Sequence, residues 1–142
     1  SHLRRSLRGG VETRWHLEAA IASVHAAASG WAGTDWPRLV TLYDRLLALH
    51  PSPVVALNRA IALAEAGETP EAGAEAALAV LIPLADAPTL RRYSHYHAAV
   101  AEMQRRAGRP EASAVALGRA LALDLSAPAR RLLQARLDAL RG

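Results

Sequence analysis

The 142-residue sequence contains no cysteine, no phenylalanine and no lysine. Without cysteine there is no disulfide framework, no thiolate zinc site and no cysteine nucleophile. A reducing cytoplasm fits that pattern. Without lysine, all seventeen basic residues are arginine, a bias that GC-rich codon usage accounts for. Asparagine occurs once, at Asn58, and β-branched residues are scarce. No apolar run approaches the roughly 18 residues of a membrane span, and the alanine-rich stretch 19–28 is broken by Ser23 and His25. The arginines near the N-terminus are not followed by an apolar core, so no secretory leader is expected.

Catalytic signatures are equally thin. The chain shows no glycine-rich phosphate loop, no Gly-x-Ser-x-Gly and no His-Glu-x2-His. His16 and His25 lie nine positions apart without an acidic partner nearby. His95 and His97 would point about 200° apart on a helix and so could not share an ion. Aromatic packing with polar tips is the reading for Arg91–His97. No enzyme activity, metal or cofactor is expected.

What is abundant is alanine and leucine, both strong helix formers. The length suits one domain able to bury most of its unfolded surface without a metal or disulfide. Residues 1–11 read as a cloning remnant (Ser1-His2) and a linker holding Arg4, Arg5, Arg8 and Gly9-Gly10. The natural chain is then expected to continue upstream. The net charge of +4 is modest, and a solvated tail accounts for part of it.

From Glu12 onward, punctuation divides the chain into seven helices. The first runs Glu12–Ser29, with Trp15, Ala19, Ala22 and Ala26 on one face, widened by Leu17, Ile21 and Val24. Gly30 ends it, and Thr34 or Asp35 caps the second, to Leu49. Pro51-Ser52-Pro53 forces a break. The third spans Pro53–Ala66, stopped by Gly67. The fourth, capped by Thr69, reaches about Leu81, and Pro83–Pro88 form a loop. The fifth spans Thr89–Ala107, stopped by Gly108. The sixth runs from Pro110 to about Leu123. Ser126 caps the seventh, which runs to Leu140. Short connections imply antiparallel hairpins over 12–51, 53–87 and 89–125, with 127–141 left as a cap. Ala60, Gly67, Ala72 and Ala79 recur 41 positions later as Ala101, Gly108, Ser113 and Ala120. The hairpin glycines are expected to supply a positive φ.

These fragments resemble the tetratricopeptide (TPR) repeat, a helical hairpin. Trp36, Tyr43, Leu46, Leu47 and Pro51 match one second helix. Asn58-Arg59-Ala60 with Gly67 matches the next first helix, and Gly108, Ser113, Leu117, Ala120 and Leu121 a third unit. The set is divergent, because Leu39 and Leu46 replace small residues. The resemblance implies a right-handed α-α superhelix of three hairpins and a capping helix.

A narrower resemblance covers nearly all of residues 12–141. Trp15–Ala26, Thr34-Asp35-Trp36, Leu42-Tyr43-Asp44-x-Leu46-Leu47 and Pro51–Ala60 carry it. So do Tyr96–Ala99, Gly108–Ala112 and Ala127–Arg131. Together they look like the C-terminal TPR extension of bacterial extracytoplasmic-function RNA polymerase sigma factors. It implies promoter-reading and polymerase-binding regions upstream, and a tail that modulates them through protein contacts. The implied partners are the sigma body, the polymerase or a regulator, with DNA reached only indirectly and no membrane.

Candidate partner-binding residues are Asn58, Arg59, Arg92, Tyr96 and Arg105. In TPR domains that clamp peptides, an asparagine at this point of the motif bonds the ligand backbone, so Asn58 leads. Arg105, Arg106 and Arg109 cluster at one turn, with Arg91 and Arg92 at the other end of the same helix. Arginine forks suit carboxylates and phosphates alike. Glu65, Glu68, Glu71 and Glu75 are read as solvated charges around another turn.

Overall fold

The computed structural model describes residues 13–28 and 30–142. Among these the chain is all-α, with eight α-helices and no strand. They are α1 (Arg14–Ala27), α2 (Trp36–Leu49), α3 (Pro53–Ala66), α4 (Pro70–Leu81), α5 (Pro88–Arg91), α6 (Ser94–Arg106), α7 (Pro110–Leu121) and α8 (Ala127–Arg141). Short 3-10 turns cover Trp31–Gly33 and Ile82–Asp86. The expected ends Glu12 and Ser29 of the first helix lie outside the described residues.

Most helix starts have a local chemical cause. Asp35, Ser52, Thr69 and Ser126 accept hydrogen bonds from the backbone N–H three residues on, which satisfies one of the otherwise unpaired first-turn donors. Prolines sit in the first turns of α2, α3, α4, α7 and α8, where no backbone donor is needed. The expected fifth helix is in fact two, which raises the count from seven to eight. The chain breaks at Arg92-Tyr93, where Tyr93 is extended (φ −103°, ψ 105°). His97 stabilises the break. Its Nε2 lies 2.9 Å from the Arg91 carbonyl oxygen, which can only accept, so Nε2 carries the proton.

Helices pack on their sequence neighbours: α1 on α2, α2 on α3, α3 on α4, α4 on α6, α6 on α7 and α7 on α8. Two apolar cores result. Leu17, Ile21, Leu39, Leu42, Leu46 and Ala62 form one. The larger is built on Leu57, Ala60, Leu78, Leu81, Tyr96 and Leu117 with their neighbours. Each buried leucine contributes roughly 1.5–3 kcal/mol relative to exposure. Helix α3 belongs to both cores, with Ala62 facing one and Leu57, Ala60 and Ala64 the other.

The face expected for α1 is corrected. Ala19, Ala22 and Ala26 are exposed and Trp15 is 73% exposed, while Leu17 and Ile21 are buried. The two stripes point to opposite sides of the helix, and the branched aliphatic one removes more apolar area from water.

The repeat also has a different step. Leu39, Leu78 and Leu117 are all buried and 39 residues apart, as are Leu42, Leu81 and Ala120. The same step takes Leu57 to Tyr96, Ala60 to Ala99, Ala64 to Met103 and Ala74 to Ser113, all buried. The 41-residue alignment instead matches exposed Ala72 and Ala79 to buried Ser113 and Ala120. It follows similar small letters; burial follows the packing.

Side-chain bonds to backbone carbonyls tie neighbouring helices together. Tyr96 donates to the Leu81 carbonyl at 2.7 Å. Ser113 donates to the Ala101 carbonyl at 2.7 Å. Arg130 donates to the carbonyls of Leu121 and Leu123, groups that a helix C-terminus leaves unpaired.

The hairpin glycines divide in role. Gly108 has φ +80°, as expected. Gly67 does not: its φ is −64°. Its constraint is steric, since a Cβ there would lie 2.5 Å from the Gly73 Cα. A Cβ on Gly73 would lie 2.1 Å from the Ala64 carbonyl oxygen. Helices α3 and α4 therefore cross at backbone contact. Gly73→Ala is expected to cost about 1–3 kcal/mol of stability through overpacking. Gly118→Ala, with nothing within 4 Å of the new Cβ, should stabilise α7 by up to about 1 kcal/mol. Urea unfolding of both variants checks the opposite signs.

Candidate functional site

Helix α8 packs chiefly on α7, which leaves an open groove of about 420 Å³ between α8, α6 and α3. Its shape follows from residue size. Ala98 and Ala99 of α6 make a shallow floor. Ile61 of α3 and Leu132 and Leu133 of α8 make apolar walls. Trp31 lies on the rim, 61% exposed, and Leu132 is 54% exposed. Trp31 packs against Trp36, with ring centroids 4.7 Å apart and the planes tilted by 56°.

A chain of charges runs along the groove. Trp31 Nε1–H donates to Glu65 Oε2 at 3.1 Å. Arg106 donates to Glu65 Oε1 at 2.7 Å and to Glu102 Oε2 at 2.8 Å. Arg105 grips both oxygens of Glu102, at 3.0 and 2.8 Å. The network joins the loop after α1 to α3 and α6. Beside it, Arg109 of the α6–α7 turn pairs with Glu75 of α4 and with Gln104.

The arginine partners set the acidity of Glu102. The Arg105 hydrogen bonds, opposed by burial and aided by Arg106, lower its pKa from the usual 4.5 to about 2. A carboxylate held so low is a poor general base near neutrality. Among the described residues, no group of three His, Cys, Asp or Glu side chains is placed to hold a metal. What the groove offers is a surface with one apolar side and one charged side.

The residues singled out in the sequence do not converge on one place. Arg105 joins the network. Asn58 lies three and seven positions before Ile61 and Glu65, on the same stripe of α3, and makes no side-chain hydrogen bond among the described residues. Arg59 turns to the neighbouring helix, where its Nε bonds Asp44 of α2. Arg92 is exposed at the α5–α6 break, beside Pro88, Thr89 and Arg91. Tyr96 is corrected outright. It is 3% exposed, its hydroxyl is taken by Leu81, and burial pushes its phenol pKa up. It belongs to the core, not to a partner surface.

Glu65 belongs to this site although its turn reads as solvated in the sequence. Its side chain is only 15% exposed and receives both Trp31 and Arg106. The one sequence hint is the i, i+4 pair Glu102–Arg106, which marks one end of the network. Trp31, Leu132 and Arg136 carried no sequence signal.

Comparison with known proteins adds one relative. The chain is 37% identical over 124 residues to an uncharacterized protein of Rhizobium meliloti (strain 1021). The match takes in 87% of this chain but spans only 28% of the relative's length. No family model and no solved structure matches.

Glu102 gives a pH test. Its folded-state pKa lies below the unfolded value, so its stabilisation is complete above about pH 4.5 and drains away as pH falls toward 2. In Glu102→Gln that acid dependence is expected to shrink. Unfolding midpoints measured from pH 7 to pH 2 check it; an unchanged slope contradicts the assignment. Asn58→Ala is expected to leave stability unchanged or slightly raised, since no hydrogen bond is lost and alanine is the better helix former. Thermal melts decide it.

Proposed function

We propose that this chain is the regulatory, non-catalytic interaction domain of an extracytoplasmic-function RNA polymerase sigma factor. Its helices form a right-handed, TPR-like superhelix of three hairpins closed by α8. The domain works in the cytoplasm by docking on the sigma regions, the polymerase core or a regulator, and so biases the factor between active and inactive arrangements. DNA is reached through the sigma regions alone.

The observation that carries this reading is the 39-residue recurrence of burial across three successive hairpins. Units that pack only on their neighbours build extended scaffolds with an exposed inner face. The groove between α3, α6 and α8 lies on helices that such an architecture turns inward. The long unmatched portion of the Rhizobium relative leaves room for further regions in the same polypeptide. The sigma assignment itself rests on the motif resemblance, above all on Asp35–Ala60.

A second reading is favoured by the groove: a TPR adaptor that holds an extended peptide, with Asn58 one turn beyond the groove-lining residues of α3. Both readings need binding, but only the first needs transcription. Promoter-driven transcription by the full-length factor, with and without this domain, separates them. The expected result is a several-fold change in transcript yield. An unchanged yield with intact peptide binding leaves the adaptor.

A further inference from the structure

We propose that the groove takes an apolar segment bearing a carboxylate side chain, and that Arg136 is the group that reads it. This rests on the reading of the domain as an interaction module and names the ligand chemistry of its groove. Charge accounting within the groove points to it. Glu65 and Glu102 are already neutralised, because Arg106 bridges them and Arg105 grips the second. Arg136 stands on the α8 wall of the same groove and makes no hydrogen bond or ion pair among the described residues. The groove thus presents one uncompensated cation beside apolar walls.

The remaining surface selects between anions. Ile61, Leu132 and Leu133 favour an apolar chain, and the exposed Trp31 ring offers one flat rim. A nucleic acid would set a row of phosphates against these apolar walls with a single uncompensated arginine to pair them, so the site disfavours it. A side-chain carboxylate between apolar residues satisfies both halves of the groove. It pairs with the Arg136 fork in bidentate fashion, while its neighbours bury Leu132.

The test uses the 142-residue chain and fluorescein-labelled leucine-rich peptides that differ only in carrying Glu, Gln or Lys between the leucines. Anisotropy titrations should rank Glu above Gln above Lys, with Glu favoured over Gln about tenfold. Arg136→Gln should remove the Glu preference yet leave Gln-peptide binding in place. Leu132→Ser should weaken all three. Arg131→Gln, an exposed change on the same helix, should alter none, which separates the pairing from bulk charge. Equal binding of the Glu and Lys peptides, a Glu preference surviving in Arg136→Gln, or no binding across the panel overturns the proposal. So does displacement of the Glu peptide by a single-stranded oligonucleotide. If transcription ignores the domain while the Glu preference holds, the sigma reading falls and the groove chemistry stands. If transcription responds but the preference is absent, the groove chemistry alone falls.

Discussion

A helix buried on two faces has to be narrow, and α3 meets that demand. Its buried positions are Leu57, Ala60, Ala62 and Ala64, three of the four alanine, and the apolar cores on either side share it as one wall. At its C-terminal end the crossing with α4 tightens to backbone contact, with Gly73 against the Ala64 carbonyl. Side chains any larger would push α4 away and open the second core. Helices α2 and α4 both pack against α3. The rest of the chain then adds helices one at a time to the last pair.

That order of packing explains the groove and its charges together. Because α8 caps α7, the floor of α6 stays open. The same openness leaves Glu65 and Glu102 in a half-desolvated setting, where pairing with Arg105 and Arg106 is worth more than on a free surface. The network spans the loop after α1, α3 and α6, so it fixes the first hairpin relative to the third across the groove mouth. A ligand in the groove would touch all three at once.

Helix boundaries were the most legible part of the sequence, because caps and prolines act locally. Asp35, Ser52, Thr69 and Ser126 each do what their residue type dictates. The break at Arg92-Tyr93 was illegible, since it depends on His97 reaching back to Arg91 and on Tyr96 being drawn into the core. The role of Gly67 is not legible for a similar reason: its neighbour in space is Gly73, which no local rule supplies. The repeat is visible as repetition, but similar letters give a step of 41, whereas burial recurs at 39 between unlike residues such as Leu57 and Tyr96. The groove was the least legible feature. Arg136 and Leu132 look like ordinary outer residues of an amphipathic helix until α8 is placed on α7 and not on α6.

The central claim, that this face docks on the transcription machinery, is most directly tested by site-specific photocrosslinking. A photoreactive residue would be placed at Leu132, inside the groove, and separately at Val115 on α7, equally exposed and outside it. In the full-length protein, Leu132 should form an adduct with the sigma regions or a polymerase subunit, and Val115 should not. Adducts of equal yield from both positions, or none from Leu132, would contradict the claim.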